Sequence, residues 1–214
     1  MDDNEAAQYL RNNPQFFDRN PQLLETIYVP HPHGGRAIPL IERQLLGLRE
    51  KTKLLEGKLA ELLRFGEEND AIGEKVHRMS AALIGARDFA SSVHALYFHL
   101  REDFAVPHVA LRVWGKTLLE GTLEGSPVEA ELRDRAETMG APQCGAAADN
   151  PFLPWFREAR EHVRSVALVP LGQTRVFGLL ALGSEDPQRF YAEMGTLYLR
   201  RIGELTAAAL AART

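Results

Sequence analysis

The sequence predicts an α+β fold: an antiparallel sheet flanked by helices, preceded by a long coiled-coil helix and short N-terminal helices. Three observations lead there. Ser165–Leu171 and Val176–Gly183 are short apolar runs separated by Gly172-Gln173-Thr174-Arg175, and runs of this length, rich in β-branched residues and bounded by Gly and Pro, suit buried strands joined by a tight turn. Phe190, Met194, Leu197, Leu199, Ile202, Leu205 and Leu210 then recur at roughly helical spacing. Upstream, Ile41, Leu45, Leu48, Thr52, Leu55, Leu59 and Leu62 follow an alternating four-three step, the mark of a coiled-coil seam.

Composition bounds the rest. A chain of 214 residues, 45% of them hydrophobic, suits one compact domain with an appendage. Net charge is −4 with no basic block, which argues against a nucleic-acid groove. The acidic start Met1-Asp2-Asp3-Asn4-Glu5 lacks the basic-then-apolar order of a signal peptide. No apolar run approaches the ~20 residues that span a bilayer, so no membrane partner is expected. A single cysteine, Cys144, leaves no internal disulfide and no cysteine-built zinc site. A cytoplasmic location follows as the expectation.

Residues 1–39 form the first region, a short helical segment. It carries a small repeat, Asn13-Pro14-Gln15-Phe16-Phe17 and Asn20-Pro21-Gln22-Leu23-Leu24. Asn before Pro is a helix-start signal, because Asn caps free N–H groups and Pro at the first helical position loses nothing. Short helices are therefore expected at about 4–12, 14–19 and 21–26. Each is too short to stand alone, so Tyr9, Leu10, Phe16, Phe17, Leu23 and Leu24 must dock on something. Val29 to Gly35 reads as an extended stretch ending in a turn.

The second region, 40–85, is the long helix. Its seam from Ile41 to Leu62 runs for about three heptads, with Lys, Arg and Glu on other faces; it suits a parallel homodimer, the alternatives being a seam laid against its own globular domain or an intrachain bundle with two of the N-terminal helices. Continuing the same step would bring Gly66, Asn69 and Gly73 into the seam. The apolar stripe passes instead through Phe65, Ile72, Val76, Met79 and Leu83, so the seam changes phase near Phe65 as a stammer would do. Two glycines there each cost about 1 kcal/mol relative to alanine. The helix is weakest between Phe65 and Gly73.

The third region, 86–214, is the globular domain. Asp88 to about Phe104 reads as a helix, and Val106 to Trp114 as a strand whose hairpin partner is Leu118–Leu123. Val128 to Met139 reads as helical, Gly140 to Asn150 as a loop, and Pro151 to Arg160 as a short aromatic segment. The strand pair and last helix complete an α+β order.

That order, with Val169-Pro170-Leu171 followed by Phe177-Gly178-Leu179-Leu180-Ala181-Leu182, resembles GAF domains. Over nearly its whole length the chain also resembles a bacterial family of unknown function, DUF family 484. The residues that carry this are Asn13-Pro14-Gln15-Phe16-Phe17, Leu23-Leu24, Val29-Pro30-His31-Pro32, Leu40-Ile41-Glu42-Arg43-Gln44, Cys144-Gly145 and Met194-Gly195-Thr196-Leu197-Tyr198-Leu199. The resemblance implies a helical piece, a coiled-coil helix and a GAF-like domain, with no established catalytic residues. GAF domains bind varied small ligands, so the fold alone names no cofactor, which stays unknown.

Candidate site residues come from local pattern. In the strand Val106–Trp114, alternation sends Val109, Leu111 and Val113 one way and His108, Ala110, Arg112 and Trp114 the other. If the second face lines a ligand cup, Arg112 would pair with an anionic group and Trp114 would stack on a ring. The bland alternative is a partly solvated face with Trp114 filling a gap. Phe152 and Trp155, in Asp149-Asn150-Pro151-Phe152-Leu153-Pro154-Trp155-Phe156, form the densest aromatic patch: a pocket lid or partner grip, or simply a seal over the sheet. Cys144 lies among small residues where GAF domains often carry a ligand-covering segment; with no second thiol to resolve an oxidised form, it is more naturally inert. His31-Pro32-His33 offers too few ligands for a metal, and no metal is expected. No Ser-His-Asp order, phosphate-cradling loop or paired-carboxylate motif stands out, so the chain is not expected to be an enzyme.

Two functions remain. One is a cytoplasmic sensory protein, a parallel homodimer through Ile41, Leu45, Leu48, Leu55, Leu59 and Leu62, that binds a small ligand in its cup and signals to a separate protein partner. The alternative is a ligand-free dimeric scaffold or adaptor that uses the fold as an interaction surface. They part on whether the cup is open and polar or filled by aromatic side chains.

Overall fold

The computed structural model describes residues 2–29, 38–115, 121–172 and 174–213. Contacts divide the chain into two compact units, Met1–Glu67 and Glu68–Thr214. Helix α4 (Leu40–Gly85) supplies residues to both.

The first unit holds α1 (Asp3–Asn12), α2 (Phe16–Arg19), α3 (Gln22–Thr26), a two-stranded antiparallel pair of β1 (Tyr28–Val29) and β2 (Ile38–Pro39), and α4 as far as Glu67. A capping box starts α1: the Glu5 amide donates to Asp2 Oδ1 at 2.7 Å, and the Asp2 amide donates to Glu5 Oε2 at 2.9 Å. Asn13 and Asn20, expected to cap the helices after them, bond backwards instead. Their Nδ2 groups donate to the carbonyls of Tyr9 and Phe16, each at 2.9 Å. The prolines that follow push both asparagines out of helical geometry, and their amides serve the carbonyls left over at the helix ends. Tyr9, Phe16 and Phe17 pack edge to face at 5.9 and 5.3 Å. No described residue of this unit is buried. His31-Pro32-His33 lies outside the described residues.

The second unit is built on a four-stranded antiparallel sheet in the order β3-β6-β5-β4, formed by β3 (His108–Val113), β4 (Gln143–Ala146), β5 (Ser165–Leu171) and β6 (Gly178–Ser184). Its strands β5 and β6 are the two apolar runs, paired from Ser165↔Ser184 to Leu171↔Gly178. The expected partner of β3 is not seen as a strand: residues 118–120 lie outside the described ones, and Gly121–Leu123 is turn. Instead β6 pairs with β3, Arg112 facing Leu179. Gln143–Ala146, expected as loop, is the outer strand β4 against β5.

Alternation along the strands divides the core in two. Leu111, Val113, Ala167, Val169, Leu171, Leu180 and Leu182 join Met79 and Leu83 of α4 with α5 (Phe89–Glu102) and α7 (Leu197–Ala211). Helix α7 comes so close to β5 that a Cβ on Gly203 would meet the Val169 side chain at 2.6 Å. Arg213 fastens the same layer, donating to the carbonyls of Leu83 and Ala86 at 2.8 to 3.0 Å, and so serves the open end of α4. On the other face, Ala110, Val166, Leu168, Leu179 and Ala181 meet α6 (Ala130–Glu137) and a 3-10 segment, Leu153–Glu161.

Candidate functional site

Each of the two units presents one candidate surface. The first is the sheet face turned toward the 3-10 segment. His108, Arg112 and Trp114 share the parity of Ala110, and strand pairing sets them opposite or beside Gly183, Leu179 and Phe177. Phe152, fully buried, and Phe156 lie over this face. A Cβ on Gly183 would meet the Phe156 ring at 3.1 Å, so the ring rests almost on the sheet backbone. Trp155 stands edge-on to Phe152 at 5.1 Å.

Arg112 is 8% exposed. Its Nη1 donates to the Leu111 carbonyl at 2.8 Å, and its guanidinium carbon lies 5.4 Å from the centre of the Trp155 ring. Burial pulls its pKa below the usual arginine value, and Arg157 adds to that pull, while Tyr97 and Glu124 oppose it. Tyr97 donates its hydroxyl to Glu124 at 3.0 Å, and its pKa is raised chiefly by burial. Trp114 Nε1 donates to Glu137 Oε1 at 2.9 Å, and Arg133 Nε donates to the same oxygen at 2.8 Å. The Arg133 bond holds the Glu137 carboxyl below its ordinary range.

The structure brings Arg112, Trp114, Phe152 and Trp155 to one face, and it separates the other two candidates from them. His108 sits at the strand's start, where its Nε2 is 3.5 Å from Glu185 Oε1, an ion-pair distance without hydrogen-bond geometry. Cys144 packs against the opposite, helix-facing cluster, because it pairs with Ala167 across β4 and β5. Burial pushes its thiol up to about 11, which favours the protonated form at neutral pH.

Among the described residues, several cavities border the second unit. One of about 330 Å³ lies beside Trp155, and one of about 270 Å³ lies beside Trp114 and Arg133. A third, of about 550 Å³, is lined by Glu137, Pro170, Arg175, Arg200 and Glu204. His108, Arg112, Cys144 and Phe152 line none of these three. Sequence reasoning left out Phe156 and Glu137. Phe156 was within reach, standing beside Trp155 in the aromatic patch. Glu137 was not, since nothing local ties it to Trp114. Among the described residues, no three His, Cys, Asp or Glu side chains gather to hold a metal, and no helix is long and apolar enough to cross a membrane.

The second surface is the seam of α4. Ile41, Leu45, Leu48, Leu55, Leu59 and Leu62 are 42% to 66% exposed, and Leu54, Leu63 and Phe65 are similarly bare. A 46-residue helix with such a stripe carries an apolar face that its own unit does not cover.

A family model described as "Protein of unknown function, DUF484" matches residues 1–213. The chain belongs to the DUF484 family. Proteins named "Uncharacterized protein YigA" from Salmonella typhimurium and Escherichia coli K12 are each 24% identical over 208 residues, covering 94% of this chain and 88% of the relative. Among solved structures, a GAF domain from Pseudomonas syringae pv. tomato aligns with a TM-score of 0.48 at 18% identity, over 71% of this DUF484 chain and 92% of that one. An A. aeolicus nlh2 GAF domain aligns at 0.46 and 13% identity, over 68% and 99%. At scores below 0.5 the likeness carries no functional weight.

Proposed function

We propose that this DUF484 protein is a non-catalytic regulatory adaptor of the cytoplasm, a homodimer joined through α4 whose GAF-like domain is an interaction surface for a separate protein. One observation carries the reading: the first unit contains no buried residue among those described, while its seam leucines stand open to water. Burying a side chain of that size is worth about 1.5–3 kcal/mol, so six seam positions and their counterparts form a strong self-complementary contact. Phe152 and Phe156 support the adaptor over the sensor, because they occupy the face that a ligand would need.

A sensory reading keeps one observation in its favour. Arg112 is a buried cation whose hydrogen bond goes to the neighbouring carbonyl and not to a carboxylate. Buried charges normally have a countercharge, and an anionic small molecule displacing the 3-10 segment would supply it.

Native and denaturing mass spectra of gently purified protein test both. The adaptor reading expects twice the 23.9 kDa of one chain and nothing more. Extra mass released on denaturation would establish the sensor instead, and a single-chain mass at micromolar concentration would defeat the dimer.

A further inference from the structure

The seam has a direction, and its charges give it. Alternating steps place Leu45, Thr52 and Leu59 at position a of the heptad, and Ile41, Leu48, Leu55 and Leu62 at position d. The flanking positions follow. Gln44, Lys51 and Lys58 fall at g, while Glu42, Arg49, Glu56 and Leu63 fall at e.

We propose that two copies of this chain pair in parallel and in register along Ile41–Leu62, with Lys51 of each copy bridging to Glu56 of the partner subunit. This rests on the homodimer reading above and adds its register and the charged residues that set it.

In a parallel pair, each g residue faces the e residue five positions later on the other helix. Lys51 then faces Glu56, twice by symmetry. Lys58 faces Leu63, across which its methylene stem can lie, and Gln44 faces Arg49. No like charges meet. In an antiparallel pair, g faces g and e faces e. Lys51 must then meet Lys58, a second Lys51 or Gln44 in every register that keeps the leucine layers. The register that sets Arg49 beside Glu56 also sets Lys51 beside Lys58, so its gain is cancelled. The register that sets Lys51 against its own copy also brings Glu42 toward Glu56, and the one that sets Lys51 against Gln44 pairs Glu42 with Arg49 but keeps only the layers from Ile41 to Thr52, leaving Leu55, Leu59 and Leu62 uncovered.

Thr52 points the same way. In register, the two Thr52 side chains share one layer and their hydroxyls can bond to each other; antiparallel, each hydroxyl is set against Leu55, Leu48 or Ile41 according to the register, where it has no such partner. The occupant is a second copy and not a protein of opposite charge, because this stretch mixes Lys and Arg with Glu throughout. The seam stops at Leu62, since the next positions would be Gly66 and Asn69; the pair parts where α4 turns its apolar stripe toward the core of the α+β domain.

Sedimentation of the wild type, Lys51→Glu, Glu56→Lys and the double exchange reads the sign. Each single change should weaken the dimer about three- to tenfold, and the double exchange should return it to about twofold of the wild type or better. Tighter association of Lys51→Glu, or no effect of either single change, overturns the parallel register while leaving the homodimer standing. As a second readout, Leu55→Cys in a Cys144→Ala background should form a covalent dimer on air oxidation; failure to do so in a protein of dimeric mass also overturns it. A monomeric wild type overturns the homodimer itself.

Discussion

Leu62 and Leu83 lie on one helix, yet the first is 66% exposed and the second 2%. Both belong to apolar stripes of helical period, and what separates them is what the chain offers as cover. Beyond Gly73 the stripe of Val76, Met79 and Leu83 meets α5 and α7, so this chain completes that core by itself. Among the described residues, the stripe before Phe65 meets nothing of comparable size, and α1 to α3 bury none of theirs. One helix therefore carries a stripe that its own chain buries and another that it leaves bare. A helix can serve both because the change of phase near Phe65 rotates the apolar stripe onto a different side.

The contrast is sharpest if the two cores are broken separately. Phe152→Ala removes a fully buried ring and should cost the α+β domain about 3–5 kcal/mol, read as a lower denaturant midpoint that does not depend on protein concentration. Leu83→Ala should cost about 2–4 kcal/mol on the same grounds, again at every concentration. Leu59→Ala, of the same chemistry in the other half of α4, should leave that midpoint in place and weaken association instead. Equal effects of Leu83→Ala and Leu59→Ala on the domain's midpoint would erase the distinction.

Arg213→Ala comes next. It strips the carbonyls at the end of α4 of their donors and should cost about 1–2 kcal/mol, with faster amide exchange confined to residues 80–86. The smallest effect is acidic. Asp103 accepts from Arg78 at 2.9 Å and lies against His99, and these contacts, Arg78 first, hold its pKa below the ordinary value. A carboxylate depressed on folding stabilises above its unfolded pKa and loses that contribution as pH falls through the folded one. Stability should therefore decline below about pH 4, and Asp103→Asn should flatten that part of the curve by less than about 1 kcal/mol, since Arg78 is half exposed and water screens the pair.

Where the sequence was readable, strong periodicity made it so. The two apolar runs became β5 and β6, and Val76, Met79 and Leu83 of α4 joined the domain core. Local pattern also put Arg112 and Trp114 on one face of β3. The strand β4 escaped because Gln143-Cys144-Gly145-Ala146 holds no β-branched or aromatic residue; it is a strand through pairing with β5, not through propensity. That pairing is also what turns Cys144 away from Arg112. The Asn-Pro repeat marked the helix boundaries, but which side the amide would serve depended on backbone geometry after the turn. The hydrogen bond from Trp114 to Glu137 joins residues from separate elements, and no local rule reaches it.

Hydrogen exchange along α4 at two protein concentrations tests the central claim most directly. Amides of residues 41–62 should be protected in concentrated protein and lose that protection on dilution below the dimer's dissociation constant. Those of residues 76–85, covered by their own chain, should exchange at the same rate in both samples. Protection at 41–62 that ignores dilution would mean that the chain covers its own seam, and the two halves of α4 would then not differ in kind.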